Sequence, residues 1–250
     1  MELYVHVPFC KRKCRYCDFA SWAGREDWMP AYVDAVLTEA HSAHDALGTQ
    51  SMETAFLGGG TPSLLPPEEL EEFIAHAAEL FDCTVLEECT VEANPDDLTP
   101  EYLAALRRAG IDRLSIGVQS FDDGELRLMN RRHTADAARK AVRQAQEAGF
   151  GNVTVDLIFG VPGFGAATLA RNLRETVALG VQHVSAYHLT VEPQTAFGRR
   201  MAQGRFSPVT EETSEEEFLT VHRTLRDAGF EHYEVSNYAL PGRRAIHNSA

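Results

Sequence analysis

One segment near the start of the chain decides its fold: His6-Val7-Pro8-Phe9-Cys10-Lys11-Arg12-Lys13-Cys14-Arg15-Tyr16-Cys17-Asp18-Phe19. Its three cysteines, Cys10, Cys14 and Cys17, have the spacing C-x3-C-x2-C and directly follow a short apolar stretch. A tight loop with this spacing can turn three sulfurs toward one point, which suits a metal cluster and does not suit a disulfide framework. Structural zinc sites usually have four protein ligands, commonly from two C-x2-C pairs, and the sequence has no second pair. Three thiolates on a four-iron cluster would leave one iron open to a small ligand.

The remaining cysteines, Cys83 and Cys89, are the rival candidates for a fourth ligand. Chance spacing is the alternative to a cluster, but three of the five cysteines in 250 residues fall within eight positions. Cys83 precedes a predicted strand and Cys89 lies early in it, so both belong to the end of the fold opposite the cluster. We therefore interpret them as buried or inert thiols and predict that the fourth iron is open.

The cysteine motif, with the aromatic Tyr16 before its last cysteine, resembles that of the radical S-adenosylmethionine (SAM) superfamily. The flanking residues Tyr4-Val5-His6-Val7-Pro8-Phe9-Cys10 and Cys17-Asp18-Phe19 resemble its oxygen-independent coproporphyrinogen oxidase-related branch, and within that branch the HemW subgroup of heme chaperones. The resemblance implies that the three cysteines hold a [4Fe-4S] cluster. It also implies that the open iron binds the amino and carboxylate groups of SAM.

Strand-like and helix-like patterns alternate along most of the chain, which predicts an α/β fold. Strands are predicted over 3–7, 54–57, 88–92, 113–118, 153–159 and 183–189, and helices over 29–46, 68–81, 101–109, 135–148 and 167–179. Consecutive strand–helix steps imply a parallel sheet with right-handed crossovers. Polar residues fall at the C-terminal ends of different strands, which is the pattern of a barrel. The resemblance implies a partial (β/α)6 TIM-like barrel of the radical SAM type, open at one side.

Two regions are expected along the chain. Residues 1–193 form the predicted radical SAM partial barrel. Residues 194–250 form a connecting segment with a helix over 215–228, a strand over 231–236 and an irregular tail. In the family a further domain usually begins with a His-Asn-x-x-Tyr-Trp motif, and His247-Asn248-Ser249-Ala250 matches its first four positions. We therefore expect the connecting segment to lead into a truncated C-terminal accessory domain.

A glycine run follows the second predicted strand, in the stretch Gly58-Gly59-Gly60-Thr61-Pro62. Glycines allow a backbone to approach a ligand closely, although a simple tight turn is the alternative explanation. A phosphate-binding loop is excluded because the run lacks the lysine of that motif. The resemblance implies that Gly59, Gly60 and Thr61 contact SAM at its methionyl amino group.

Four polar residues are spaced about one per strand unit: Glu92, Gln119, Arg131 and Asp156. SAM needs acceptors for its ribose hydroxyls and ammonium group, and a forked donor for its carboxylate. Each residue alone could be a helix cap or a salt-bridge partner, but a set at one barrel face is better explained as ligand contacts. The resemblance implies that these positions bind SAM, together with Tyr4 and Tyr16.

His247 is a candidate heme ligand, because a histidine ring nitrogen can coordinate heme iron. A lone histidine in a tail is more often simply solvated. The resemblance implies heme binding at this histidine.

Two functions compete, and position 19 discriminates between them. The first is a HemW-type heme chaperone that delivers heme to respiratory proteins. The second is the oxygen-independent coproporphyrinogen III dehydrogenase, which decarboxylates propionate side chains and typically carries a fourth cysteine where this chain has Phe19. The chaperone is therefore favoured over the enzyme. A radical SAM enzyme acting on another small molecule or on RNA is a third alternative. The implied partners are SAM, heme or another tetrapyrrole, an electron donor such as a flavodoxin or ferredoxin, and a heme-accepting respiratory protein.

Charge and hydropathy limit the remaining possibilities. The formal net charge of −14 argues against nucleic-acid binding, which depends on clustered Lys and Arg. Lys11-Arg12-Lys13 is a local exception, which we interpret as solvated. No export signal is visible, and no apolar run approaches the ~18 residues that span a bilayer. We therefore expect a cytoplasmic protein that could associate peripherally with the inner membrane.

Overall fold

The computed structural model describes residues 1–249 of the chain. In this range the strands are β1 (Glu2–Val7), β2 (Phe9–Cys10), β3 (Trp22–Ala23), β4 (Thr54–Gly59), β5 (Glu88–Ala93), β6 (Arg113–Gln119), β7 (Asn152–Phe159), β8 (His183–His188), β9 (Glu231–His232) and β10 (Asn237–Ala239). The helices are α1 (Met29–Leu47), α2 (Pro67–Leu80), α3 (Pro100–Arg108), α4 (Asp123–Met129), α5 (Ala135–Glu147), α6 (Gly165–Ala178), α7 (Ala196–Ala202) and α8 (Glu211–Asp227).

The main sheet has eight strands in the order β1-β4-β5-β6-β7-β8-β10-β9. The first six are parallel and follow one another along the chain, whereas β10 pairs antiparallel with both β8 and β9. β1 and β9 lie at opposite ends of the strand order, and no ladder joins them within residues 1–249. The expected α/β partial barrel, open at one side, is therefore confirmed.

The two faces of the barrel strands differ in chemistry because side chains alternate along a strand. In β6, Leu114 and Ile116 are buried among the surrounding helices, while Arg113 and Ser115 point inward. Arg113 lies 3.5 Å from Glu88 in a buried ion pair and donates to Thr154 at 2.6 Å. The apolar core thus lies between strands and helices, and the barrel interior is left to polar groups.

The helix α5 illustrates how the outer layer forms. Thr134 caps its N-terminus by accepting a hydrogen bond from the amide of Ala137. Small apolar residues recur at helical spacing on one face, and all are buried: Ala135, Ala138, Ala141, Val142 and Ala145. Their small size lets the helix pack closely on the sheet.

Several short elements differ from the expectation. The helices α4 and α7 have seven residues each and were not predicted, since two turns are too short to show a helical period. The strand expected over 231–236 is instead β9 and β10, which reverse direction through a turn in which Tyr233 N donates to Asn237 O. The division at residues 193 and 194 stays a prediction.

The C-terminal segment lies across the N-terminal ends of the barrel strands. The amide of Ile246 donates to Glu88 at 3.1 Å, and Glu88 is the first residue of β5. His247 bonds to Thr54, the first residue of β4. This segment is therefore packed against the barrel. None of the described helices combines the length and apolar character needed to cross a membrane.

Candidate cofactor site

A cavity of about 390 Å³ opens at the C-terminal ends of the barrel strands. It gathers eleven of the predicted site residues, which are Cys10, Cys14, Tyr16, Cys17, Gly59, Gly60, Thr61, Glu92, Gln119, Arg131 and Asp156. Because the C-terminal ends of parallel strands meet at one face of a barrel, residues far apart in sequence become neighbours there. These eleven predicted site residues therefore lie around one cavity.

The cysteine loop is anchored at both ends. Its first cysteine belongs to β2, which pairs with β3, and Trp22 N donates to Pro8 O at 2.8 Å. In the middle of the loop, Arg15 N donates to Met129 O at 3.1 Å. These contacts fold the loop over the cavity and hold its thiols at the cavity wall.

The three thiols are free and face polar neighbours. Cys10 Sγ accepts a hydrogen bond from Thr61 Oγ1 at 3.5 Å, and Cys14 Sγ accepts one from Arg131 Nη1 at 3.3 Å. Burial raises the pKa of Cys17, and the positive charge of Lys13 opposes that rise. Hydrogen-bond donors therefore lie beside two of the three sulfurs.

Cys10, Cys14 and Cys17 all line the same cavity. In the described range 1–249, no group of three His, Cys, Asp or Glu side chains is placed to hold a single metal ion. A cubane differs from a single ion, because each thiolate binds a different iron and the sulfurs stand apart. Three free thiols at one cavity therefore fit a four-iron cluster better than a mononuclear metal.

Cys83 and Cys89 do not line the cavity. Cys89 is the second residue of β5 and is buried, and this burial raises its pKa to about 12. Burial likewise raises the pKa of Cys83. Because neither thiol reaches the cavity, neither is placed to be a fourth ligand.

The glycine run is required by close packing. A Cβ on Gly60 would lie 2.7 Å from Phe9 O and 2.8 Å from Val7 O, which are backbone atoms. Gly60 N also donates to Val7 O at 2.7 Å. Gly59 has a φ of +106°, in the region that favours glycine. The end of β4 can therefore lie directly against the strand that leads into the cysteine loop.

Two carboxyl groups face the cavity from β5 and β7. Glu92 accepts a hydrogen bond from Gly59 N at 3.0 Å, and Asp156 accepts from Ser115 Oγ at 3.1 Å. Burial, with a further contribution from the nearby Asp156, raises the pKa of Glu92 to about 8. Burial also raises the pKa of Asp156 to about 6, although Ser115 opposes this rise. The raised pKa values show that the ionised forms of both carboxyls are disfavoured in this cavity. A positively charged ligand would stabilise those ionised forms.

Arg131 spans the cavity between the cysteine loop and the sheet. Besides Cys14, its guanidinium donates to Gly117 O at 2.5 Å and to Asn94 Oδ1. Its Nε is buried and has no hydrogen-bond partner among the described residues. A buried donor without a partner fits an absent acceptor, such as a ligand carboxylate.

Tyr4 and His247 lie outside the cavity lining. Tyr4 is half exposed and bonds to His6 Nδ1 at 3.2 Å. The His247 ring lies 5.0 Å from that of Phe56, and His247 Nδ1 lies 2.8 Å from Thr54 Oγ1. These residues stand on the inner side of β1 and β4, toward the N-terminal strand ends. Their cofactor roles stay predictions.

Some lining residues were not predicted. Ser115 donates a hydrogen bond to Asp156, and Asn94 accepts one from Arg131. Tyr187 lines the cavity wall at the end of β8. The alternation of β6 could have indicated Ser115, because it shares the inward parity of Arg113. No sequence signal distinguished Tyr187 from a core aromatic.

Comparison with known proteins agrees with this geometry. The family model of the radical SAM superfamily matches residues 4–176. The heme chaperone HemW of Lactococcus lactis is 36% identical over 245 residues, which cover 98% of this chain and 64% of that protein. HemW of Escherichia coli is 34% identical over 99% of this chain and 65% of its own length. The chain thus spans a little under two thirds of the curated relatives it matches.

Solved structures share the fold. The coproporphyrinogen III oxidase HemN from Escherichia coli has a TM-score of 0.84 at 24% identity, with 96% of this chain and 56% of that chain covered. The methylornithine synthase PylB has a TM-score of 0.61 at 15% identity, with 89% and 61% covered. Because the family model matches residues 4–176, the chain belongs to the radical SAM superfamily, and it is similar in sequence to the HemW heme chaperones.

Proposed function

We propose that this chain is the radical SAM part of a heme chaperone, which binds a [4Fe-4S] cluster and SAM and delivers heme to respiratory proteins. The observation that carries the proposal is the cavity that gathers three free thiols, two carboxyls and a guanidinium, with Phe19 at its wall. The position that would carry a fourth cysteine in the decarboxylating enzyme is thus occupied by an exposed aromatic side chain.

The chain's own residues divide the binding of the cofactors among them. Cys10, Cys14 and Cys17 would hold the cluster, which supplies an electron to SAM when both are bound. The carboxyls of Glu92 and Asp156 would hold the cationic and hydroxyl groups of SAM. Arg131 Nε would donate to its carboxylate, and backbone carbonyl oxygens of the glycine run would accept hydrogen bonds from its amino group. The cysteine loop supplies one wall of the cavity.

We assign heme coordination to His247 Nε2. Its other ring nitrogen bonds to Thr54 Oγ1, and within residues 1–249 Nε2 has no hydrogen-bond partner. A histidine that ligates a metal is commonly oriented by a hydrogen bond at its second nitrogen. The adjacent rings of Phe56 and Tyr4 supply an aromatic surface beside it, and Tyr4 is half exposed to solvent.

A hemin titration of the full-length protein tests this function. We expect a shifted Soret band in the wild type and its loss in His247→Ala, because the axial ligand is removed. His222→Ala is the matched control, since His222 lies on α8 and away from Thr54 and Phe56. A Soret shift that survives in His247→Ala would contradict the assignment.

The alternative enzyme is tested with coproporphyrinogen III, a reductant and SAM. We expect the full-length protein to form no protoporphyrinogen, because it lacks the fourth cysteine at position 19. Product formation would replace the chaperone proposal with the oxygen-independent coproporphyrinogen III dehydrogenase.

The affinity for SAM should rise with pH across the range set by the two carboxyls. Below its pKa of about 8, Glu92 is protonated and attracts a sulfonium cation weakly, so binding must release the proton. We expect the dissociation constant to fall about fivefold as the pH rises from about 6 to about 8, and about tenfold over the whole titration, which corresponds to a shift of one pKa unit on binding. Equilibrium dialysis at fixed ionic strength measures this change.

Glu92→Gln is the control for that experiment, because it keeps the shape of the side chain and removes its titration. The pH dependence should flatten in this variant, apart from the contributions of Asp156 and of SAM itself. An unchanged profile in Glu92→Gln would show that the carboxyl does not face the cation.

We also propose an electron donor such as a flavodoxin or ferredoxin, a respiratory heme acceptor and a cytoplasmic location with peripheral contact at the inner membrane. Five free cysteines support a reducing compartment. Nucleic acid is not a partner in this proposal, since residues 26–106 contain no Lys or Arg.

A further inference from the structure

The backbone at Gln119 is strained. Gln119 ends β6 with a φ of 66°, one of two non-glycine residues with a positive φ in the described range. Ser120 N donates to Val118 O at 2.8 Å, which closes a three-residue γ-turn around Gln119. A γ-turn with positive φ is rare and unfavourable. The register between β6 and β7 also shifts between Ile116 and Gln119.

The Gln119 side chain lies in the wall of the cofactor cavity. Along a regular strand, inward and outward side chains alternate, and Ser115 and Gly117 already occupy the inward positions of β6. The turn ends the strand while keeping Gln119 on the inward side. Strain of this kind persists only where the surrounding structure holds the backbone in place.

A buried polar cluster follows the turn directly. It consists of Ser120, Glu125 and Asn172, which are 0%, 4% and 2% exposed. Ser120 Oγ donates to Glu125 Oε2 at 2.5 Å, and Asn172 Nδ2 donates to Ser120 Oγ at 3.1 Å and to Glu125 Oε2 at 2.8 Å. Three polar side chains, from the β6–α4 connection, α4 and α6, thus hydrogen-bond to one another.

The same cluster also binds the backbone beyond the turn. Asn172 Oδ1 accepts a hydrogen bond from Phe121 N at 3.0 Å, and Ser120 Oγ accepts one from Asp122 N at 2.8 Å. The carbonyl on the other side of the turn, Val118 O, is held by His133 Nε2 at 2.8 Å. Both ends of the γ-turn are therefore fixed by buried groups.

We infer that Ser120, Glu125 and Asn172 are positioning residues that hold Gln119 in its strained turn and so aim its carboxamide at SAM. None of the three lines the cavity, so they act only through Gln119. This inference rests on the proposed binding of SAM in the cavity. Their burial and mutual hydrogen bonds make the arrangement rigid, because an unpaired member would be costly to leave buried.

A double-mutant cycle tests the inference on protein with its cluster reconstituted and its iron content matched. The dissociation constant for SAM is measured by equilibrium dialysis. We expect Gln119→Ala and Asn172→Ala each to weaken binding about tenfold, roughly the effect of one lost hydrogen bond. In the Gln119→Ala background, Asn172→Ala should weaken it by less than about twofold. Full additivity would overturn the inference.

Two further variants separate positioning from general stability. Glu125→Gln keeps the acceptor for Ser120 and Asn172 and should bind SAM nearly as the wild type does, whereas Glu125→Ala should not. Thr176→Val removes a buried hydrogen bond from Thr176 Oγ1 to Asn172 O on the same helix and leaves the cluster side chains in place. It should lower the melting temperature without weakening SAM binding. Equal weakening in Thr176→Val would assign the effect to stability alone.

Hydrogen exchange supplies a readout that needs no cofactor. We expect the amides of Ser120 and Phe121 to exchange faster in Asn172→Ala than in Thr176→Val, because only the first releases the turn. Equal exchange in the two variants would overturn the inference. A wild-type protein that holds its cluster but binds no SAM would instead refute the proposed SAM site, and the inference with it.

Discussion

We expect Cys14→Ala to lose the visible absorbance of the iron–sulfur cluster after anaerobic reconstitution. The wild type should bind about four iron and four sulfide per chain, as one cubane held by thiolates does. In the variant, one iron loses its protein ligand, and Arg131 loses the sulfur that it contacts at 3.3 Å. Iron and sulfide analysis, together with the absorbance spectrum, measures the loss.

Cys83→Ala is the matched control for this experiment. It removes the same thiol group from a loop that does not line the cavity. The control should retain the full cluster and the wild-type melting temperature. A cluster that survives in Cys14→Ala would refute the ligand assignment, and a cluster lost in Cys83→Ala would implicate that cysteine instead.

We expect Gly60→Ala to destabilise the protein strongly. The added Cβ would lie 2.7 Å from Phe9 O and 2.8 Å from Val7 O, and backbone atoms cannot rotate out of the way. The strand that leads into the cysteine loop must therefore shift. Overpacking at its upper range costs about 3 kcal/mol, which lowers the melting temperature by about 6–12 °C in a chain of this size. Thermal denaturation of the cluster-free protein measures the change.

Gly151→Ala provides the control, because a Cβ at Gly151 meets no atom within 4 Å and its φ is not in the left-handed region. That variant should melt within a few degrees of the wild type. Equal melting temperatures for Gly60→Ala and Gly151→Ala would mean that β4 and the cysteine loop are not tightly packed.

The barrel strands could be predicted from the sequence alone, because each depends on residues that are close together in the chain. The strands that were predicted over 88–92 and 153–159 are observed as Glu88–Ala93 and Asn152–Phe159, which differ by one residue at an end. Alternation and helix stops are properties of neighbouring residues, so they can be read without a structure. The helix α4 was missed because a seven-residue helix shows too little of its period.

The arrangement of the candidate site depended more on the tertiary structure than on the local sequence. The sequence alone determined which residue types were present, since the cysteine spacing and one polar residue per strand end are visible in it. Only the tertiary structure decided that Ser115 supports Asp156, that Gln119 sits in a γ-turn, and that His247 reaches Thr54 at the far end of the barrel. Each of these depends on the register between strands or on contacts between distant segments. A strand pattern specifies which side chains share a face, but the packing of the whole sheet sets which of them touch.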